Sequence, residues 1–171
     1  MSVYRVACAL FVGILLSFST PAFSAGTKFL SMSVASRHLN SDYDYNENNF
    51  GIGFGYSFDL GDGWRTAWEL GFYKNSYGEQ TKYGLLDLDY RVQTFENKDA
   101  LYLGGFVGLA DYGKRAKGIM GDKMDPIGTY ILMGGAQATY ATAQGTDFIL
   151  GVVPGAANAE TVLTFRIRQR F

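Results

Sequence analysis

Toward the C-terminus, Leu163, Phe165, Ile167 and Phe171 fall on one face of an extended chain, and Thr164, Arg166, Arg168 and Arg170 fall on the other. A period of two with cations along one side cannot belong to a sandwich with a dry core on both faces. The pattern recurs upstream. Phe50, Ile52, Phe54, Tyr56 and Phe58 oppose Gly51, Gly53, Gly55 and Ser57, so one face is greasy and the other leaves space. Trp64, Thr66, Trp68, Leu70 and Phe72 oppose Arg65, Ala67, Glu69, Gly71 and Tyr73, and Gly84, Leu86, Leu88, Tyr90 and Val92 oppose Leu85, Asp87, Asp89 and Arg91. Apolar residues outside and charges inside invert a soluble barrel and suit a lipid-facing wall around a polar lumen.

The alternation predicts strands near 27–39, 50–60, 64–75, 80–93, 100–113, 127–140, 146–153 and 160–171, the fifth to seventh being the least cleanly patterned. The total is even, as in single-chain outer-membrane barrels, and predicts an all-β, eight-stranded, antiparallel up-and-down transmembrane β-barrel. Gly61-Asp62-Gly63, Thr94 to Asp99 and Ala141 to Gly145 read as short periplasmic turns. The longer polar stretches Asn40 to Asn49 and Lys114 to Asp125 read as extracellular loops. Glu69, Asp87 and Asp89 are expected to pair inside with Arg65, Arg91, Arg166, Arg168 and Arg170, filling a lumen narrow enough for side chains to plug.

The first 24 residues read differently. Arg5 gives a positive start, Val6 to Phe18 an apolar run, and Ala22-Phe23-Ser24 a small-x-small cleavage site, which together predict a signal peptide over 1–24 and a mature barrel over 25–171. The apolar run is too short for a transmembrane helix, which needs roughly 20 residues. The only cysteine, Cys8, lies in that segment, so no disulfide is expected in the barrel. Composition agrees with many short strands: 22 glycines, 13 phenylalanines and 12 tyrosines against 3 prolines. A net charge of −1 argues against a nucleic-acid partner. A single histidine without clustered carboxylates offers too few ligands for a metal, and no cofactor is expected. The terminal Phe171, backed by alternating apolar residues that Gln169 interrupts, suits recognition by outer-membrane assembly machinery, and a monomer in the bacterial outer membrane is expected.

Candidate chemistry gathers at the outer rim. If both termini are periplasmic, strands one and three end there, bringing His38, Asn75 and Ser76 to one end of the barrel. An imidazole beside a hydroxyl and an amide can supply a base, a nucleophile or positioning group, and an oxyanion donor. A hydrogen-bonded rim histidine without catalysis fits the same position. Strict alternation puts His38 in phase with Leu30, Met32 and Val34, on the lipid side, so it reaches the lumen only past the strand end or after a bulge. Pro126 and Pro154, lacking backbone donors, either leave the ladder open at the outer ends of strands six and seven or punctuate loops. Gly51, Gly53 and Gly55 either make room for an acyl chain or receive bulky side chains from across the lumen.

Arg37-His38, then Tyr45-Asn46-Glu47, then Phe50-Gly51-Ile52-Gly53-Phe54-Gly55-Tyr56-Ser57 resemble the lipid A palmitoyltransferase family (PagP). The resemblance continues in Phe72-Tyr73-Lys74-Asn75-Ser76, Val153-Pro154-Gly155 and the closing Arg168-Gln169-Arg170-Phe171, in the right order over most of the mature chain. It implies an eight-stranded barrel whose interior pocket holds a palmitoyl chain moved from a glycerophospholipid to lipid A, with outer-membrane phospholipid and lipopolysaccharide as partners. It also implies lateral lipid entry at a proline-marked gap. His38, Asn75 and Ser76 match the family's catalytic histidine, aspartate and serine, while Tyr45, Asn46 and Glu47 would order the first loop, with Glu47 near His38. Asn75 departs from the family: an amide orients a group or binds an oxyanion but cannot take a proton as a carboxylate does. The stretch before His38 is also too short for the family's amphipathic N-terminal helix. The alternatives are a structural or lipid-binding barrel without catalysis and, less favoured, a lipid A deacylase.

Overall fold

The computed structural model describes residues 26–39, 41, 44–116, 119, 128–154 and 160–171. The expected signal peptide over 1–24 and Pro126 lie outside the described residues. Eight strands close into one antiparallel barrel in chain order: β1 (Thr27–His38), β2 (Gly51–Gly61), β3 (Trp64–Lys74), β4 (Gln80–Thr94), β5 (Ala100–Asp111), β6 (Tyr130–Ala141), β7 (Thr146–Val153) and β8 (Val162–Arg170). β1 pairs with β8 to complete the ring, with Phe29 opposite Arg170 and His38 opposite Val162.

The bounds follow the sequence expectation closely, and at two of the ends that differ a glycine intervenes. β5 stops at Asp111 rather than 113 because Gly113 takes φ +58 and opens a 3-10 turn, Gly113–Arg115. β6 begins at Tyr130 rather than 127, after Gly128 at φ +67. In the β2–β3 turn, Asp62 and Gly63 both have positive φ, which matches the right-handed twist of the strands they join.

Side chains sort as the alternation requires. Leu30, Phe54, Leu70, Leu88, Leu103 and Leu150 are 49–53% exposed on the outer wall, while Glu69, Asp87, Asp89, Asp147 and Arg168 are at most 2% exposed inside. A continuous apolar belt of this kind is untenable in water and natural in lipid, and closure gives each strand a hydrogen-bonded neighbour on both sides over most of its length. Trp64 with Tyr90 and Phe95 with Tyr140 form ring pairs near the short-turn end, where an interfacial girdle belongs. The protein is thus a transmembrane barrel of the bacterial outer membrane, with its long connections at the extracellular end.

Two irregularities shape that end. The β1–β8 register shifts between Ser33 and Ala35, which reverses the facing of everything beyond it. Ser36 and His38 therefore turn inward and Arg37 turns out. β6 and β7 pair only between Ala136↔Val152 and Ala141↔Asp147, although β6 pairs with β5 as far as Tyr130. Among the described residues, the outer part of β6 has no strand partner on its β7 side, and the wall is notched there.

Candidate functional site

The lumen has two unlike halves. The half toward the short turns is an ion-paired plug. Arg168 Nη2 lies 3.1 Å from Glu69 Oε2 and 2.6 Å from Asp87 Oδ2, and Arg166 reaches the same carboxylates at 3.3 and 3.7 Å. Arg65 bridges Asp89 and Asp147 at 3.1 and 3.3 Å, and Arg170 meets Asp147 at 3.2 Å. Gln137 ties the two groups together, accepting from Arg166 and donating to Asp89, both at 2.9 Å. The guanidinium of Arg168 stacks on Phe29 at 4.1 Å and that of Arg65 on Tyr102 at 3.8 Å. Arg91 departs from expectation. It lies exposed in the periplasmic part of β4, beside the register shift between Arg91 and Gln93, and outside this network.

The inward glycines of β2 accommodate that packing rather than a lipid chain. A Cβ on Gly53 would lie 2.6 Å from the Tyr83 hydroxyl and 2.5 Å from Ser31 Oγ, and one on Gly55 would lie 2.6 Å from Phe29 Cζ. Tyr83 and Ser31 both donate to Glu69 Oε1, at 2.5 and 2.7 Å, so the small residues let the carboxylate be satisfied.

The outer half holds a cavity of about 350 Å³, the lower end of the range for ligand sites. Its walls are apolar and aromatic, including Leu85, Phe106, Ile131, Met133 and Val153. Tyr73 and Tyr112 share a hydrogen bond of 2.9 Å there, and Arg166 marks the boundary with the plug. Pro154 lines the cavity at the top of β7, and so do Gly134 and the outward-facing Leu132. The cavity therefore reaches the wall at the β6–β7 notch.

At the rim, His38 and Ser76 line this cavity together with Tyr45, Tyr77 and Glu160. The bulge after Ser33 supplies the change of phase that His38 needed. Arg37, charged and outward, marks where the lipid-facing part of β1 ends, so His38 stands above the bilayer core. Its ring stacks on Tyr45 with centroids 3.9 Å apart, and Tyr45 meets Tyr77 edge-on at 5.7 Å. His38 Nδ1 is buried without a hydrogen-bond partner. Burial lowers its pKa, and the charges of Glu160 and then Glu47 act in the opposite sense.

The segment 45–47 knits the rim. Asn46 N–H donates to Ser76 O at 2.9 Å, its side-chain amide donates to Asn75 O at 3.2 Å, and Glu47 O accepts from Ser36 N–H at 3.0 Å. Glu47 also pairs with Arg37 at 3.8 Å. Asn49, buried at the base of this loop, donates to Lys74 O at 2.8 Å and accepts from the Ser36 hydroxyl.

Asn75 differs most from its expected role as an orienting or oxyanion group. It is 1% exposed, and its side chain is spent inside the β3–β4 turn: Oδ1 accepts from Tyr77 N–H at 2.9 Å and Glu79 N–H at 3.0 Å, while Nδ2 donates to Thr81 Oγ1 at 3.0 Å. With Oδ1 accepting twice and one N–H on Thr81, this buried amide serves its own turn and does not line the cavity. Glu160, which the sequence reading passed over, is the carboxylate that shares the cavity with His38. Its only sequence signal is its place just before β8, opposite the end of β1. Among the described residues no group of metal-ligating side chains converges.

No family model matches the chain, and no curated protein matches it. Among solved structures it is similar to the Yersinia pestis outer membrane protein Ail in a phospholipid bilayer nanodisc, at 14% identity and a TM-score of 0.47, covering 85% of this chain and 99% of that one. It is also similar to Neisserial surface protein A, at 14% identity and a TM-score of 0.47, covering 88% and 100% respectively.

Proposed function

We propose that the barrel takes an acyl chain of an outer-leaflet lipid into the apolar half of its lumen and transfers it from a phospholipid to lipid A. The observation that carries this reading is a single cavity that begins at His38 and Ser76 on a polar rim and ends among Phe106, Ile131 and Met133. The β6–β7 notch beside Pro154 is the side entrance. Moving a tail from bilayer to cavity exchanges one hydrocarbon surrounding for another, so the hydrophobic gain is small and the shape of the cavity selects the chain.

In the transfer, the acceptor hydroxyl oxygen bonds to the ester carbonyl carbon while its proton passes to His38. Ser76 Oγ–H donates to the developing oxyanion, the role that Asn75 cannot fill from within its turn. The C–O bond to the donor glycerol then breaks, and His38 returns the proton to the departing oxygen.

Purified protein in mixed micelles with phospholipid and lipid A tests this. Wild type transfers an acyl chain, and His38→Ala loses roughly 10²–10⁴ of the rate, the usual worth of a general base. A second reading, lipid binding without transfer, is favoured by the commitment of Asn75 to its turn. It predicts bound lipid by native mass spectrometry and no transfer by either protein.

A further inference from the structure

Two rim residues carry a buried polar atom without a hydrogen-bond partner, and both line the same cavity: His38, through Nδ1, and Glu160, through Oε2. The backbone keeps them close. His38 pairs with Val162 across β1–β8, and Leu39 N–H donates to Thr161 O at 2.9 Å, so Glu160 stands beside the end of β1. The other charged or titratable groups near the imidazole are Glu47 from the β1–β2 loop, Arg37 turned outward on β1, the stacked Tyr45, and Tyr77 with the Arg115 guanidinium 4.8 Å from its ring. Glu47 is engaged with Arg37 at 3.8 Å, whereas Glu160 makes no ion pair among the described residues. The Coulombic influence of Glu160 on His38 also exceeds that of Glu47.

We propose that Glu160 is the acidic positioning residue for His38, the carboxylate that lines the cavity with it while Glu47 is engaged by Arg37 and position 75 is an asparagine held in a turn. The two side chains are not bonded to each other here, and a turn of the Glu160 carboxylate toward Nδ1–H satisfies both unpartnered atoms at once, fixes the tautomer, leaves Nε2 free to take the acceptor's proton and then stabilises the imidazolium that forms. This catalytic role rests on the acyl-transfer reading, but the pairing itself does not.

His38 is the only histidine in the chain, so in untagged protein its ring titrates as a single resolved NMR signal. A neighbouring carboxylate favours the charged imidazole, so Glu160→Gln lowers the midpoint, more than Glu47→Gln does, while Glu160→Asp largely preserves it. In the transfer assay Glu160→Gln slows the rate about tenfold or more, a part of the general-base contribution, and moves the pH–rate profile down with the midpoint. Heat-modifiable migration on gels confirms that each variant is folded. Equal midpoints in wild type and Glu160→Gln overturn the pairing. A lowered midpoint with no transfer by wild type supports the pairing and overturns the acyl-transfer reading alone.

Discussion

Replacing Arg168 by methionine removes one charge from the lumen while keeping most of the side-chain volume. Arg168 is 1% exposed and meets Glu69 and Asp87 at 3.1 and 2.6 Å, and those carboxylates are themselves only 1–2% exposed. Around the plug, Arg65, Arg166, Arg168 and Arg170 balance Glu69, Asp87, Asp89 and Asp147, so Arg168→Met leaves one buried negative charge uncompensated. Arg166, at 3.3 and 3.7 Å from the same two carboxylates, must then serve both alone. Breaking a buried pair by removing one partner costs about 3–5 kcal/mol. With a urea slope of about 2 kcal/mol per molar, the unfolding midpoint falls by about 2 M. Trp64 and Trp68 on β3 report the transition in detergent micelles by fluorescence. Adding Asp87→Asn restores neutrality and recovers about 1–3 kcal/mol, because neighbouring charges couple. A loss under about 0.5 kcal/mol in the single variant, the size of an exposed pair, would refute a dry lumen.

Asn75→Ala leaves the Tyr77 and Glu79 N–H groups without their acceptor and costs about 1–3 kcal/mol by the same unfolding assay. Asn75→Asp keeps that acceptor and lets the Thr81 hydroxyl turn to donate, so it leaves transfer activity within about threefold of wild type; a large gain would place position 75 in the chemistry instead. The Asp99 carboxylate at the β4–β5 turn accepts from the Tyr140 hydroxyl, the Ala143 N–H and Asn97, which hold its pKa below the usual value. A depressed folded pKa contributes stability above the unfolded value of about 3.9 and loses it as pH falls through the folded value. The gap in unfolding midpoint between wild type and Asp99→Asn is therefore full at pH 7 and shrinks below about pH 4, and a gap that grows on acidification would reverse the assignment.

Strand number, order and facing were legible because period-two alternation survives wherever one face meets lipid and the other meets a charged lumen. Arg91 shows the limit of that rule: its alternation is correct, but near the periplasmic end of β4 the inside of the wall is already open to water. The facing of His38 depended on a bulge after Ser33, a one-residue event that leaves no compositional mark in Ser33-Val34-Ala35. The turn role of Asn75 was half visible, since Asn75-Ser76-Tyr77-Gly78 is turn chemistry, with Gly78 at φ +79, but the match to a catalytic aspartate drew the reading toward the rim. For Glu160 the sequence offered only its place just before β8, and its proximity to His38 arises when β8 closes the ring on β1.

Mass spectrometry of lipid A tests most directly the proposal that an acyl chain moves through this lumen onto lipid A. Cells lacking an endogenous acyltransferase would express either the wild-type protein or His38→Ala, both confirmed as folded in the outer membrane. Acyl transfer by the barrel predicts a lipid A species heavier by one acyl chain with wild type and none with the variant. An unchanged spectrum with folded wild-type protein present would contradict it.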